Sequence, residues 1–236
     1  VAGKRSINKI WRQWIDRFRE VRDHSPEAPS TLRAELRPYQ LDGYRWLSRL
    51  ARTGAGACLA DDMGLGKTVQ ALALLLERAD SGPSLVVAPT SVAANWVDET
   101  MKFAPTLKPI VFGAGDRSTQ LAELSQRDLV ICTYGLLQRE SEALGEVEWN
   151  VIVLDEAQAI KNSATQRSKA ARRLNGAFRV VTTGTPVENR LSELHTLFQF
   201  LLPGFLGSWD RFRKQFADPI ERDRDPAARA HLRRLI

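Results

Sequence analysis

From residue 57 to residue 201, short apolar β-prone runs alternate with stretches of helical period, and that alternation leaves few folds open. The runs at 57–60 (ACLA), 85–88 (LVVA), 108–112, 129–132 (LVIC), 150–154 (NVIVL) and 178–182 (FRVVT) read as strands. Between them, 67–78, 92–103, 117–126, 135–140, 163–174 and finally 190–201 read as helices. Apolar strands joined by crossover helices make a mainly parallel sheet covered on both faces, an α/β fold. Ligands of such sheets gather beyond the carboxyl ends of the strands. The residues that follow each run are therefore the first place to look for chemistry.

The flanks differ from this middle. Ile7, Ile10, Trp11, Trp14, Ile15 and Phe18 recur at helical spacing, which predicts an amphipathic N-terminal helix, and 23–31 (DHSPEAPST) reads as a linker. Residues 1–31 form one unit, 32–208 the α/β domain, and 209–236 a helical tail expected to break at Pro219 and Pro226. The net charge of +6 sits at the ends. Residues 1–23 carry seven Lys/Arg against three Asp/Glu and 209–236 carry eight against five, leaving the middle at −1. Basic ends permit polyanion binding. No segment approaches the ~20 apolar residues of a membrane span, and the first residues lack the order of a secretory signal. An intracellular protein is expected, cytoplasmic or nucleoid-associated, or nuclear in a eukaryote; Ala- and Arg-rich usage points to a prokaryotic source. Cys58 and Cys132 lie in apolar runs without metal-ligand spacing and read as reduced core thiols.

The segment LADDMGLGKT, 59–68, follows a strand and opens an apolar helix, the context that a phosphate-binding loop requires. Asp62, Met63, Gly64, Leu65 and Gly66 form the loop. Its glycines permit turns that aim backbone amides at phosphate oxygens, and the helix N-terminus adds its own. Lys67 can reach the β- and γ-phosphates of a nucleotide, and Thr68 can offer a hydroxyl to Mg2+. The simple pattern GxxxxGK[ST] needs glycine at position 61, where this chain has Asp61.

Two further segments fit the same reading. In VIVLDEAQAIKN a strand ends at Asp155 and Glu156. One carboxylate can hold magnesium and the other can orient or deprotonate water, which assigns Asp155 to the metal and Glu156 to the water. In VVTTGTPVENR the strand ends in a hydroxyl-rich turn, Thr183, Gly184 and Thr185, expected to bond to Gln158 and relay nucleotide state. His195 lies among leucines at helical spacing and reads as a packing histidine.

These segments, with LRPYQLDGYRWL (36–47), LVVAPTSVAANW (85–96), ICTYGLL (131–137) and TTGTPVENRLSELHTLFQFLLPGFLG (182–207), resemble in order and spacing the N-terminal RecA-like lobe of a Snf2-family ATPase of helicase superfamily 2. The family commonly carries Asp at the position of Asp61. Many members have His at the position of Gln158, and both side chains can bridge by hydrogen bonds. The resemblance implies that Gln40 reads adenine, with Arg37 and Tyr39 shaping the pocket. It places Thr90, Ser91 and Asn95 in a first nucleic-acid contact region and Thr133 and Tyr134 in a second. Trp96 is expected to pack rather than stack on a base. Lys161 and Asn162, in IKN, are more characteristic of Snf2 proteins than of RNA helicases, and the basic tail resembles the start of the family's helical protrusion.

The resemblance implies ATP and Mg2+ as ligands, double-stranded DNA as track, translocation without strand separation, and a protein–DNA complex as remodelling target. It also implies a second RecA-like lobe carrying arginine fingers, before which this sequence stops. The isolated lobe is then expected to bind ATP weakly and hydrolyse it poorly. The alternatives are another superfamily 2 helicase or translocase lobe and a nucleic-acid-binding module without activity of its own.

Overall fold

The computed structural model describes residues 17–62, 64–184 and 190–236. The expected N-terminal helix lies mostly outside them; residues 17–20 are helical.

Six strands form one sheet: β1 (Ala57–Leu59), β2 (Ser84–Ala88), β3 (Lys108–Val111), β4 (Asp128–Thr133), β5 (Glu148–Asp155) and β6 (Asn175–Thr182). Their order is β1-β6-β5-β2-β4-β3, and every pairing is parallel. The register aligns the carboxyl ends. Leu59 sits opposite Thr182, Thr182 opposite Asp155, and Ala88 opposite Thr133. The ends of β1, β6, β5, β2 and β4 thus share one edge, where the segments singled out above leave the sheet.

Strands buried on both faces explain the unbroken apolar runs, because alternate residues feed two separate cores. Val86, Val151, Val153 and Val180 pack under helices α1 (Pro38–Thr53), α2 (Lys67–Glu77) and α3 (Thr90–Phe103). Leu85, Val87, Ile152, Leu154 and Val181 pack on the other side with the helices that follow β4, β5 and β6. Cys132 lies in this second core and Cys58 packs against it; burial pushes their thiols up to about 12 and about 11, so both are inert at neutral pH. Among the described residues no helix is long and apolar enough to cross a membrane.

Several boundaries differ from the expected ones, for local reasons. The short helix near 135–140 is two: α5 (Tyr134–Arg139) and α6 (Ser141–Glu146). The second buries only Leu144, too little to leave a period. The helix after β5 starts late, as α7 (Gln166–Arg173), because Thr165 caps it by accepting from the Ser168 N–H; a 3-10 turn over Ala157–Ile160 precedes it. The helix expected over 117–126 is α4 (Arg117–Ala122), capped by Asp116.

The linker is irregular but docked. The Arg45 guanidinium donates to the Pro26 carbonyl and Arg49 to that of His24, tying residues 24–26 along α1. The tail corrects one expectation. The chain stays helical through α9 (Trp209–Phe212), a π turn (Arg213–Ala217) and α10 (Asp218–Glu221), so Pro219 does not break it. The wider π turn comes where the proline ring would otherwise meet the carbonyl of the preceding turn. The break falls at 222–225, and Asp225 caps α11 (Pro226–Leu235) with Pro226 in its first turn. Phe212, Phe216, Ala217 and Leu232 pack this tail onto Leu194 of α8 (Leu191–Leu201). His195 is buried there against Trp209 and Phe212, its ring nitrogen on the Gly207 carbonyl, and burial lowers its pKa.

Gly56, the residue before β1, presses on the end of α8. A Cβ there would lie 2.4 Å from the Leu201 carbonyl oxygen and 2.8 Å from its Cα. Because backbone cannot rotate aside, Gly56→Ala should destabilise the fold by about 2 kcal/mol, or roughly 4–8 °C of melting temperature. Thermal denaturation followed by circular dichroism checks this; an unchanged midpoint would show that β1 and α8 separate freely.

Candidate active site

The loop between β1 and α2 is built around two left-handed glycines, Gly64 (φ 82°) and Gly66 (φ 79°). A Cβ on Gly66 would fall 2.4 Å from the Gln40 amide nitrogen, so this position combines positive φ with close approach. The loop is tied to α1 at its crest: the Leu65 carbonyl accepts from the Tyr39 hydroxyl (3.2 Å) and from Gln40 Nε2 (3.1 Å). Gln40 Oε1 in turn accepts from the Arg37 N–H, so both ends of that amide hold protein groups. Lys67 Nζ donates to the carbonyls of Asp61 (2.7 Å) and Asp62 (3.0 Å), folded back over the loop's entry. The Asp61 carboxylate accepts from the buried Gln70 of α2. Gly43 makes this possible, since a Cβ there would lie 1.9 Å from Gln70 Oε1. The departure from glycine at position 61 is thus a brace between loop and helix.

Asp155 ends β5 and is nearly buried. Its Oδ1 accepts from the Thr182 hydroxyl and the Glu156 N–H, and its Oδ2 accepts from the Trp96 indole N–H at 2.9 Å. The buried Tyr134 hydroxyl donates to its carbonyl at 2.8 Å. Glu156 stands in the left-handed region (φ 51°, ψ 55°), a conformation that costs a side-chain-bearing residue about 1–3 kcal/mol and that clusters at functional sites. Gln158 bridges outward. Its Nε2 donates to the Glu156 carboxylate (2.6 Å), and its Oε1 accepts from the Thr183 hydroxyl (3.1 Å). The expected bond between Gln158 and the turn after β6 is present at Thr183; Met63 and Thr185 lie outside the described residues.

These parts meet in one cavity of about 470 Å3, whose wall includes Gln40, Gly64, Gly66, Lys67, Thr68 and both carboxylates. A larger cavity, about 700 Å3, lies between Lys161, Arg172, Arg190 and Trp209 and touches none of the loop or the carboxylates, so size does not choose the site.

The family model described as SNF2-related domain matches residues 39–236. The chain belongs to this family. It is 45% identical to the putative ATP-dependent helicase/translocase YwqA of Bacillus subtilis, covering 87% of this chain and 23% of that protein. It is 36% identical to the TATA-binding protein-associated factor MOT1 of Saccharomyces cerevisiae, covering 84% of this chain and 12% of that one. Two solved structures from Sulfolobus solfataricus share the fold. The SWI2/SNF2 ATPase core in complex with dsDNA is 42% identical with a TM-score of 0.81, and the SWI2/SNF2 ATPase core domain 40% with 0.78. Each alignment covers 90% of this chain but under half of the solved chain, 45% and 44%. The fold is RecA-like, and the described residues add a helical extension after the last core helix, from Trp209 to Leu235.

Within this Snf2-family lobe the candidate nucleic-acid residues stand apart from the cavity. Thr90 and Ser91 are exposed in the first turn of α3. Asn95 is exposed and donates to Glu99. Thr133 caps α5 by accepting from the Leu136 N–H. The Tyr134 ring is buried, and its hydroxyl donates to the Asp155 carbonyl. Lys161 reaches across to Glu193 of α8 at 3.5 Å, joining the IKN segment to the helix after the turn. The sequence reading missed Val92, Glu99 and Phe103, which line the cavity from α3, and the donor role of Trp96. The signal was there: 92, 96, 99 and 103 follow helical spacing on a helix already recognised.

Proposed function

We propose that this chain is the ATP-binding lobe of a DNA-dependent ATPase that moves along double-stranded DNA and remodels protein–DNA complexes. One observation carries the reading. An amine, a hydroxyl and two carboxylates, from Lys67, Thr68, Asp155 and Glu156, line a single cavity at the carboxyl edge of the sheet. The likeness to an ATPase core solved with dsDNA supports the choice of duplex as track.

The residues fit a triphosphate. Gly64, with nothing within 4 Å of an added Cβ, and Gly66 leave backbone exposed beside the start of α2, where amides and helix dipole favour anionic oxygens. Lys67 has a third N–H beyond those on Asp61 and Asp62, and its chain can swing from these carbonyls to phosphate oxygens. Among the described residues no group of three or more His, Cys, Asp or Glu converges, so a cation here would draw most of its ligands from phosphate and water, as Mg2+ does. Thr68 and Asp155 would hold it, and when bound it supplies charge neutralisation to the phosphoryl group. Glu156 accepts the proton of, or orients, the attacking water, and Gln158 holds the Glu156 carboxylate in place. Gln40, Arg37 and Tyr39 flank the base. Thr90, Ser91, Asn95 and the Thr133 turn face the phosphate backbone of the track, and Thr183, Gly184 and Thr185 transmit the state of the site. A second RecA-like lobe would close the cleft.

Steady-state ATPase of the full-length protein with duplex DNA, single strands or RNA tests the proposal. Duplex should stimulate turnover several-fold and lose its grip steeply with added salt, because phosphate contacts release counterions. Equal rates with and without duplex would overturn the DNA-dependent reading, and stimulation by RNA alone would favour another superfamily 2 motor.

A further inference from the structure

We infer that Trp96 is a positioning residue for Asp155, and that its indole N–H couples the strand-contacting helix to the carboxylate expected to hold the metal. The inference rests on the function proposed above and deepens it.

A carboxylate offers about four lone-pair sites. At Asp155 three are taken: two on Oδ1, by the Thr182 hydroxyl and the Glu156 N–H, and one on Oδ2, by Trp96. One site on Oδ2 remains. The Trp96 bond helps set which way it faces, because it is the donor that holds Oδ2 itself, whereas the Thr182 and Glu156 donors hold Oδ1. Trp96 is itself held in place. It is 1% exposed, its carbonyl accepts the Thr100 hydroxyl, and it stands on α3 among Val92, Glu99 and Phe103, which line the nucleotide cavity.

Satisfying a buried indole would account for the bond by itself, since buried tryptophans usually find an acceptor. The place of Trp96 on its helix says more. Thr90 and Ser91, exposed in the first turn of α3, precede Trp96 by less than two turns, about 8 Å of axial rise. A helix that short moves as a rod. Any tilt on engaging a phosphate backbone at its first turn displaces the indole nitrogen, and with it the free face of Asp155. Duplex contact and metal geometry then share one hydrogen bond.

The test uses the full-length protein with Trp96→Phe, which keeps an aromatic ring and removes the donor. ADP affinity is titrated against Mg2+ concentration. Without Mg2+ it should be unchanged, while the Mg2+ needed for half-maximal binding rises about ten-fold, as for a lost hydrogen bond to a charged group. Turnover should fall through kcat more than through KM. Independently of any variant, the tryptophan indole N–H resonances of 15N-labelled wild-type protein are followed. Mn2+ in place of Mg2+ with ADP should broaden the Trp96 signal first, and duplex DNA without nucleotide should shift that same signal. An unchanged Mg2+ requirement, or equal losses with and without Mg2+, would reduce Trp96 to packing. A signal that duplex leaves in place would overturn the coupling. A Lys67→Ala protein with undiminished Mg2+-free ADP affinity would instead remove the phosphate-loop reading, whatever Trp96 does.

Discussion

Lys67→Ala in the full-length protein should cut duplex-stimulated ATP hydrolysis by about 10²–10³, the usual cost of removing one preorganised charge from a developing phosphoryl transition state. Among the described residues the Lys67 ammonium donates to the backbone carbonyls of Asp61 and Asp62. Those acceptors are at the loop's entry, where solvent can replace the lysine, so the variant should fold with a melting temperature close to wild type. Nucleotide affinity should fall as well, because the lysine meets phosphates in ground and transition states alike. Duplex affinity measured without nucleotide should be unchanged, since Thr90 and Ser91 lie on another helix. Undiminished turnover would refute the phosphate-loop assignment.

Glu156→Gln should separate binding from chemistry. Glutamine keeps the size of the side chain and can still bond to Gln158, but it cannot take a proton from water. ATP affinity should stay within about two-fold, while kcat falls by about 10²–10⁴, the range of a general base. Gln158 offers a built-in comparison. It touches the Glu156 carboxylate and Thr183 but does not line the cavity, so Gln158→Ala should lower kcat less while loosening the link to the turn after β6. Single-turnover hydrolysis with nucleotide in excess of its dissociation constant isolates the step. Unchanged turnover in Glu156→Gln would remove Glu156 from the proposed role and leave the strained backbone at that residue without a chemical reason.

Both variants probe an edge where hydrogen bonds cross strands that are distant in sequence. Asp155 is bonded to Thr182 on β6, to Trp96 on α3 and, through its carbonyl, to Tyr134 on α5. Glu156 reaches Thr183 through Gln158. The acidic pair and the hydroxyl turn therefore form one network, with β5 and β6 in register so that Asp155 faces Thr182. Two hydrogen bonds, both through Gln158, join the Glu156 carboxylate to that turn.

Much of this was legible from sequence, for a physical reason. Strand–helix alternation, a glycine-rich loop opening an apolar helix and acids ending a strand are local patterns, set by residue size, period and backbone freedom within a dozen positions. They were enough for the parallel α/β domain, for a glycine-rich loop that ends at Gly66 where the apolar helix opens, for Asp155 and Glu156 at a strand's end and for His195 as a packing residue. Only tertiary structure decided what depends on partners remote in the chain. It gave Trp96 an acceptor 59 residues away, turned Tyr134 inward to the Asp155 carbonyl, made Asp61 a brace for Gln70, and kept the tail helical across Pro219 by way of a preceding π turn. Periodicity says which face of a helix is buried; which polar atom that face meets depends on how the sheet orders its strands, and no local pattern encodes that order.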